Sequence, residues 1–185
     1  MYFKKLIQEH QKAIEDLMDN CIEDIQAIAD LCRAAVQSDH TIFLCGNGGS
    51  AADCQHIAAE FVGRFVKERR GLPAVAMTTD TSILTAVGND YGYDQVFKRQ
   101  VTALVREGDV VIGISTSGNS DSVVFALEEA KKNGAKTIAL TGPKDSKMSA
   151  VADVTIKVPA PVTARVQECH ILIGHMVCQY VDEVY

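Results

Sequence analysis

No stretch of the 185-residue chain approaches the ~18–20 consecutive apolar residues that cross a bilayer. The N-terminal run from Met1 to His10 turns polar too soon for the apolar region of a signal peptide. Both absences predict a cytoplasmic protein with no membrane partner. A basic excess is also missing. The formal net charge is −6, which argues against a nucleic-acid-binding face. It leaves room for a small phosphate ligand, because backbone N–H groups and a helix N-terminus hold phosphate without surplus Lys or Arg. The six cysteines (Cys21, Cys32, Cys45, Cys54, Cys169 and Cys178) form no C-x-x-C pair. Their apolar or helical settings predict reduced, buried thiols rather than a zinc–thiolate site. Linkers, repeats and low-complexity tracts are absent, so residues 1–185 read as one domain with a full-sized core.

What is present begins with a long helical segment, residues 1–38. Ile14, Leu17, Met18, Cys21, Ile22, Ile25, Ile28, Ala29, Cys32, Ala35 and Val36 recur at spacings of three and four. Its length exceeds what a small domain needs to cover one face, which predicts an oligomer contact. Beyond it, short apolar runs alternate with helical patterns. Strands are expected at Thr41–Cys45, Ala74–Met77, Asp109–Ser115, Lys136–Leu140 and Val154–Val158. Helices are expected at about 51–67, 81–87, 94–105 and 121–133, and from 163 to the C-terminus. The fold class is therefore α/β: a doubly wound, mostly parallel five-stranded sheet flanked by helices. Continuous apolar strands fit a sheet covered on both faces. Ligands of such sheets bind beyond the carboxyl ends of the strands.

Two loops at those ends carry the chemistry. Ser115-Thr116-Ser117-Gly118-Asn119-Ser120 places four hydroxyls within six residues at a helix start. Hydroxyls and exposed N–H groups there can surround a phosphate monoester. Gly46-Asn47-Gly48-Gly49-Ser50 follows the first strand, and Ser50-Ala51-Ala52-Asp53 has the spacing of a capping box. Neither loop continues into G-K-[ST] or has the dinucleotide fingerprint, so a nucleotide site is disfavoured. His56, Glu60 and Arg64 stand at i, i+4 and i+8 on the helix after the first loop, a spacing that shares one face. The last helix carries Gln167, Glu168, His170 and His175 among apolar residues, a weak metal pattern.

Leu44 to Asp53, followed by Gln55-His56 and Glu60, resembles the first signature of phosphoheptose isomerases in the sugar-isomerase (SIS) domain superfamily. Val87-Gly88-Asn89-Asp90-Tyr91-Gly92 resembles their central substrate loop, and Gly113 to Ser120 the SIS phosphate loop. Arg165-Val166-Gln167-Glu168-Cys169-His170, with His175 beyond, resembles the C-terminal signature. The resemblance runs over about residues 40–180; it departs at Ala164, where some relatives carry an acid. It implies conversion of sedoheptulose 7-phosphate to D-glycero-D-manno-heptose 7-phosphate, the entry to ADP-heptose for lipopolysaccharide core or related glycans. It further implies phosphate contacts from Ser115, Thr116, Ser117 and Ser120, and sugar contacts from Asn47, Gly48, Gly49, Ser50, Arg64, Asn89, Asp90 and Gln167. Glu60 and His175 would be the acid–base pair. His56, Glu60, Gln167 and His175 would be ligands of one zinc ion per subunit.

Aldose–ketose isomerisation needs a base beside a C–H bond and a proton donor or cation at the carbonyl oxygen, and these groups meet both needs. Gln167 and His175 lie about 12 Å apart along a straight helix, too far for easy sharing of one ion within a chain. That predicts a homo-oligomer, a dimer or tetramer, with sites at subunit interfaces. The rival readings are a non-catalytic SIS regulator binding a replication initiator and a sugar-phosphate sensor. The first could dispense with Glu60 and His175; the second would usually carry a fused DNA-binding domain, for which 185 residues leave no room.

Overall fold

The computed structural model describes all residues, 1–185. Helix α1 (Tyr2–Gln37) is followed by strand β1 (Ile42–Gly46), α2 (Gly49–Val62), β2 (Ala74–Ala76), α3 (Thr81–Tyr91), α4 (Val96–Leu104) and β3 (Val110–Ile114). Then come α5 (Asp121–Lys132), β4 (Lys136–Thr141), α6 (Lys147–Val151), β5 (Val154–Lys157) and α7 (Thr163–Asp182). A 3₁₀ turn, Tyr93–Gln95, leads into α4. The five strands form one sheet in the order β2-β1-β3-β4-β5. Every pairing is parallel, so the sheet is wholly rather than mostly parallel. No helix is long and apolar enough to cross a membrane.

Alternation along the strands divides the core into two layers. Ile42, Leu44, Ile112, Ile114, Ile138, Leu140 and Ile156 face one side, where they pack with α1, α2 and α7. Phe43, Cys45, Val111 and Ala139 face the other, against α3, α4, α5 and α6. On α1 the stripe Leu17, Cys21, Ile25, Ile28 and Cys32 is buried. Full burial of each large aliphatic residue there contributes about 1.5–3 kcal/mol. All six cysteines are unpaired and buried. Burial pushes the Cys32 and Cys45 thiols up to about 12, which keeps them protonated and inert.

Several local expectations are corrected. Helix α2 stops at Val62 rather than near 67. Arg69 captures its last carbonyls: Nη1 donates to Phe61 O (2.8 Å) and Nη2 to Glu60 O (3.0 Å). Asp182 of α7 accepts from the backbone N–H groups of Val66 (2.8 Å) and Lys67 (3.1 Å), which straps the segment after α2 to α7. The Ser50–Asp53 capping box does not form. The N-cap is Gly48, with φ 55° and no side-chain bond, and Ser50 is buried in the first turn. Helix α3 continues through Gly88 to Tyr91, so Asn89 and Asp90 stand on its last turn rather than in a loop. The short α6 has no counterpart in the strand–helix reading of the sequence; Ser146 and Ser149 close a reciprocal capping box there.

Candidate active site

Strands β1 and β3 are neighbours, with Gly46 beside Ile114 at their carboxyl ends. The chain leaves β1 towards β2 on one side and leaves β3 towards β4 on the other. That divergence opens a crevice at the switch point of a doubly wound sheet. The loops 46–50 and 115–120 line its two banks.

On the β3 bank, Ser115 Oγ lies 3.0 Å from Ser120 Oγ and 3.3 Å from Ser117 Oγ. Ser120 is the N-cap of α5, yet its hydroxyl makes no capping bond. Thr116, Ser117, Asp121 and Ser122 send no backbone N–H to an acceptor within the chain. Hydroxyls and free N–H groups thus converge where the helix dipole favours negative charge. Gly118 makes the bend possible: its φ is +65°, and a Cβ there would collide with Ser146. A cleft of about 540 Å³ opens beside the loop, lined by Thr116, Ser117, Asn119, Lys144 and Thr163 among others. Its other walls come from residues 142–145 and 160–166, so it lies on the side of the serine loop away from the 46–50 bank.

The second group of residues comes from two helices. His56 and Glu60 sit on successive turns of α2, with His56 Nε2 3.2 Å from Glu60 Oε1. His175 on α7 brings its Nε2 to 2.9 Å from His56 Nε2. The two helices approach closely because Gly174 has no side chain; a Cβ there would stand 2.5 Å from Ile57 Cδ1. Phe65 stacks on the His175 ring at 5.3 Å between centroids and fixes its plane. One ligand atom from each of His56, Glu60 and His175 lies within 4.8 Å of the others. Atoms bound at 2.0–2.2 Å to a tetrahedral ion are separated by about 3.3 Å. Two imidazoles and a carboxylate at these spacings therefore fit a divalent metal ion in both distance and donor chemistry.

The remaining expected residues divide. Asn47 is half-buried and its Nδ2 donates to Ser122 Oγ (3.0 Å), bridging the two banks. Gly48 and Gly49 are exposed at the crevice. Asn89 and Asp90 are exposed and bonded to each other, Nδ2 to Oδ1, at 2.8 Å. Gln167 does not join the His–Glu–His group. Its amide packs on Gly49 at the start of α2, about 12 Å along α7 from His175. Arg64 lies past the end of α2 and does not share the face of His56 and Glu60; its Nε pairs with Glu68 at 3.3 Å. Two residues outside the expected set belong to the crevice. Ser122 and Tyr93 are the partners of Asn47, and the Tyr93 hydroxyl donates to Asn47 Oδ1 at 2.8 Å. Tyr93 follows the Val87–Gly92 signature directly, which was the available signal; nothing in the pattern distinguishes Ser122 from a helix-start serine. His170 is a core residue with no exposed surface.

A family model described as the SIS domain matches residues 3–142. The phosphoheptose isomerase of a Nitratiruptor species is 52% identical over 184 residues, covering 100% of this chain and 98% of its own. That of Aquifex aeolicus is 50% identical over 181 residues, covering 98% of this chain and 95% of its own. Among solved structures, phosphoheptose isomerase GmhA from Neisseria gonorrhoeae superposes with a TM-score of 0.93 at 45% identity. The match covers 98% of this chain and 97% of that one.

Proposed function

This chain belongs to the SIS-domain family, among the phosphoheptose isomerases, and from that premise we propose that it converts sedoheptulose 7-phosphate to D-glycero-D-manno-heptose 7-phosphate. The observation that carries this reading is the convergence of Glu60 and His175 from two helices onto one point, in a chain whose sheet end also gathers phosphate-binding groups. Relatives about half identical over the full chain bear the isomerase name, and no observation favours the regulator or the sensor.

Ser115, Thr116, Ser117 and Ser120 anchor the phosphate, together with the free N–H groups at the start of α5. Asn47, Gly48 and Gly49 hold the sugar from one side, and Asn89 and Asp90 from the other; Ser50, buried in the first turn of α2, supports the loop rather than touching the sugar. Glu60 takes the C1 proton of the ketose and returns it to C2 of the enediol. His175 gives a proton to the C2 oxygen and receives the one on the C1 oxygen, so each group ends in the state in which it began. A zinc ion held by His56, Glu60 and His175, when bound, would polarise the carbonyl in place of the proton from His175; the donor set supports it. One Glu60 oxygen faces His56, which leaves the second for the carbon-bound proton.

We read residues 1–185 as one SIS domain of a cytoplasmic enzyme whose product enters ADP-heptose synthesis for lipopolysaccharide core or a related surface glycan. We place the complete site at a subunit interface in a homotetramer. Two features support this. Gln167 lies too far from His175 in its own chain to share an ion. In addition, α1 carries a second apolar stripe, Phe3, Ile7, Met18 and Ile22, which is 50–75% exposed. A neighbour would supply Gln167, and the exposed Arg64, to the site. Light scattering that finds full activity in a monomer would contradict the interface. The function itself is tested by NMR with purified protein and sedoheptulose 7-phosphate. Appearance of the aldoheptose phosphate is expected; sugar-phosphate binding without conversion would overturn the isomerase reading.

A further inference from the structure

We propose that Tyr93 is a positioning residue that acts through Asn47, setting how tightly the sugar is held without touching it. The inference rests on the sugar-binding role proposed for Asn47. The hydroxyl of Tyr93 donates to Asn47 Oδ1 at 2.8 Å, and Asn47 Nδ2 donates to Ser122 Oγ at 3.0 Å. Ser122 is 4% exposed in the first turn of α5 and cannot move without the helix. Tyr93 opens the 3₁₀ turn after Gly92, whose φ of +94° swings the chain back over the crevice.

A primary amide offers two N–H donors and two acceptor lone pairs. The chain from Tyr93 to Ser122 uses one of each and pins both ends of the amide. One N–H and one lone pair are left over, a donor–acceptor pair matched to the neighbouring hydroxyls of a sugar. The last torsion of an asparagine is broad and nearly two-fold. With Ser122 as the one remaining partner, the amide would sample orientations that present the wrong atom. Tyr93 is suited to a positioning role for a second reason. Its ring is 59% exposed, so it adds little to the core and the hydroxyl is its main tie to the fold. The hydrogen bond also joins the segment after Asn89 and Asp90 to the first glycine-rich loop, so two sugar-binding regions are set relative to each other.

The test is steady-state kinetics on sedoheptulose 7-phosphate with Tyr93→Phe, Asn47→Ala and the double variant. Tyr93→Phe is expected to raise KM about three- to ten-fold, the weight of one net hydrogen bond, with kcat held within about two-fold. In the Asn47→Ala background the same change should add no further loss, because the two residues act as one unit. The thermal unfolding midpoint of Tyr93→Phe should match wild type. A wild-type KM in Tyr93→Phe, losses that multiply in the double variant, or a kcat loss that follows a lowered unfolding midpoint would each overturn the proposal. Asn47→Ala with wild-type kinetics would remove the premise and the proposal together while leaving turnover intact. Failure here is thus separate from failure of the isomerase reading, which absence of wild-type turnover would report.

Discussion

His170 and His175 stand five residues apart on one helix and have opposite fates. His175 meets His56 of α2. His170 is fully buried, with Nε2 3.2 Å from the Thr141 carbonyl and Nδ1 buried without a partner. Burial pushes its pKa down to about 4, against the opposing hydrogen bond to Thr141. A free histidine titrates near 6.5. Between these values the unfolded chain binds a proton that the folded chain refuses, so stability is complete above about pH 6.5 and falls as the pH drops towards 4. Urea unfolding should find wild type losing more stability between pH 7.5 and 5 than His170→Gln does; equal slopes would contradict this. The two histidines are indistinguishable by residue type in a helical pattern, and only the facing element separates ligand from core. Glycine and serine signals were more legible. Gly118 takes the positive φ that its loop required, and the hydroxyls of Ser115, Ser117 and Ser120 gather as their spacing implied.

Elements were legible where local periodicity decides them. The stripe on α1 and the five apolar strands follow from neighbouring residues. Where distant residues decide, the sequence misleads. The helical pattern runs on to about Lys67, but Asp182, more than a hundred positions away, takes the N–H groups of Val66 and Lys67 and pairs with Arg69 Nε at 2.8 Å. Arg64 left the expected face for that reason. Both partners of the Arg69–Asp182 pair are 2% exposed. Burial raises the Asp182 pKa, but the Lys67 and Val66 N–H groups and Arg69 outweigh it, and the net shift is downward. The pair's contribution is therefore present above the ordinary aspartate value near 4 and is lost as pH falls through the lowered folded value. Asp182→Ala strands a buried guanidinium and should cost about 3–5 kcal/mol in chemical denaturation. It should also speed amide exchange at Val66 and Lys67, next to the turn that carries Glu60. Unchanged exchange there would mean that the strap is held by something else.

At the scale of the whole molecule, alternation of strands and helices foretold a parallel sheet but could not order it. The order β2-β1-β3-β4-β5 puts the two signature loops on facing banks of one crevice. The parallel packing of α7 on α2 then carries His175 to His56 and Glu60, although 115 residues separate Glu60 from His175 in the chain. The same packing leaves Gln167 beside Gly49, about 12 Å along α7 from His175, so one chain does not gather all four residues named by the resemblance. In the proposed reaction the sugar's proton moves at this three-residue meeting point. The most direct test is turnover of sedoheptulose 7-phosphate by wild type and Glu60→Gln in parallel, followed by NMR, with sugar-phosphate binding measured on both. Aldoheptose phosphate from wild type, a loss of at least about a hundredfold in Glu60→Gln, the low end for removing a general base, and retained binding are expected. Turnover by Glu60→Gln at the wild-type rate would contradict the assignment of the reaction to this site.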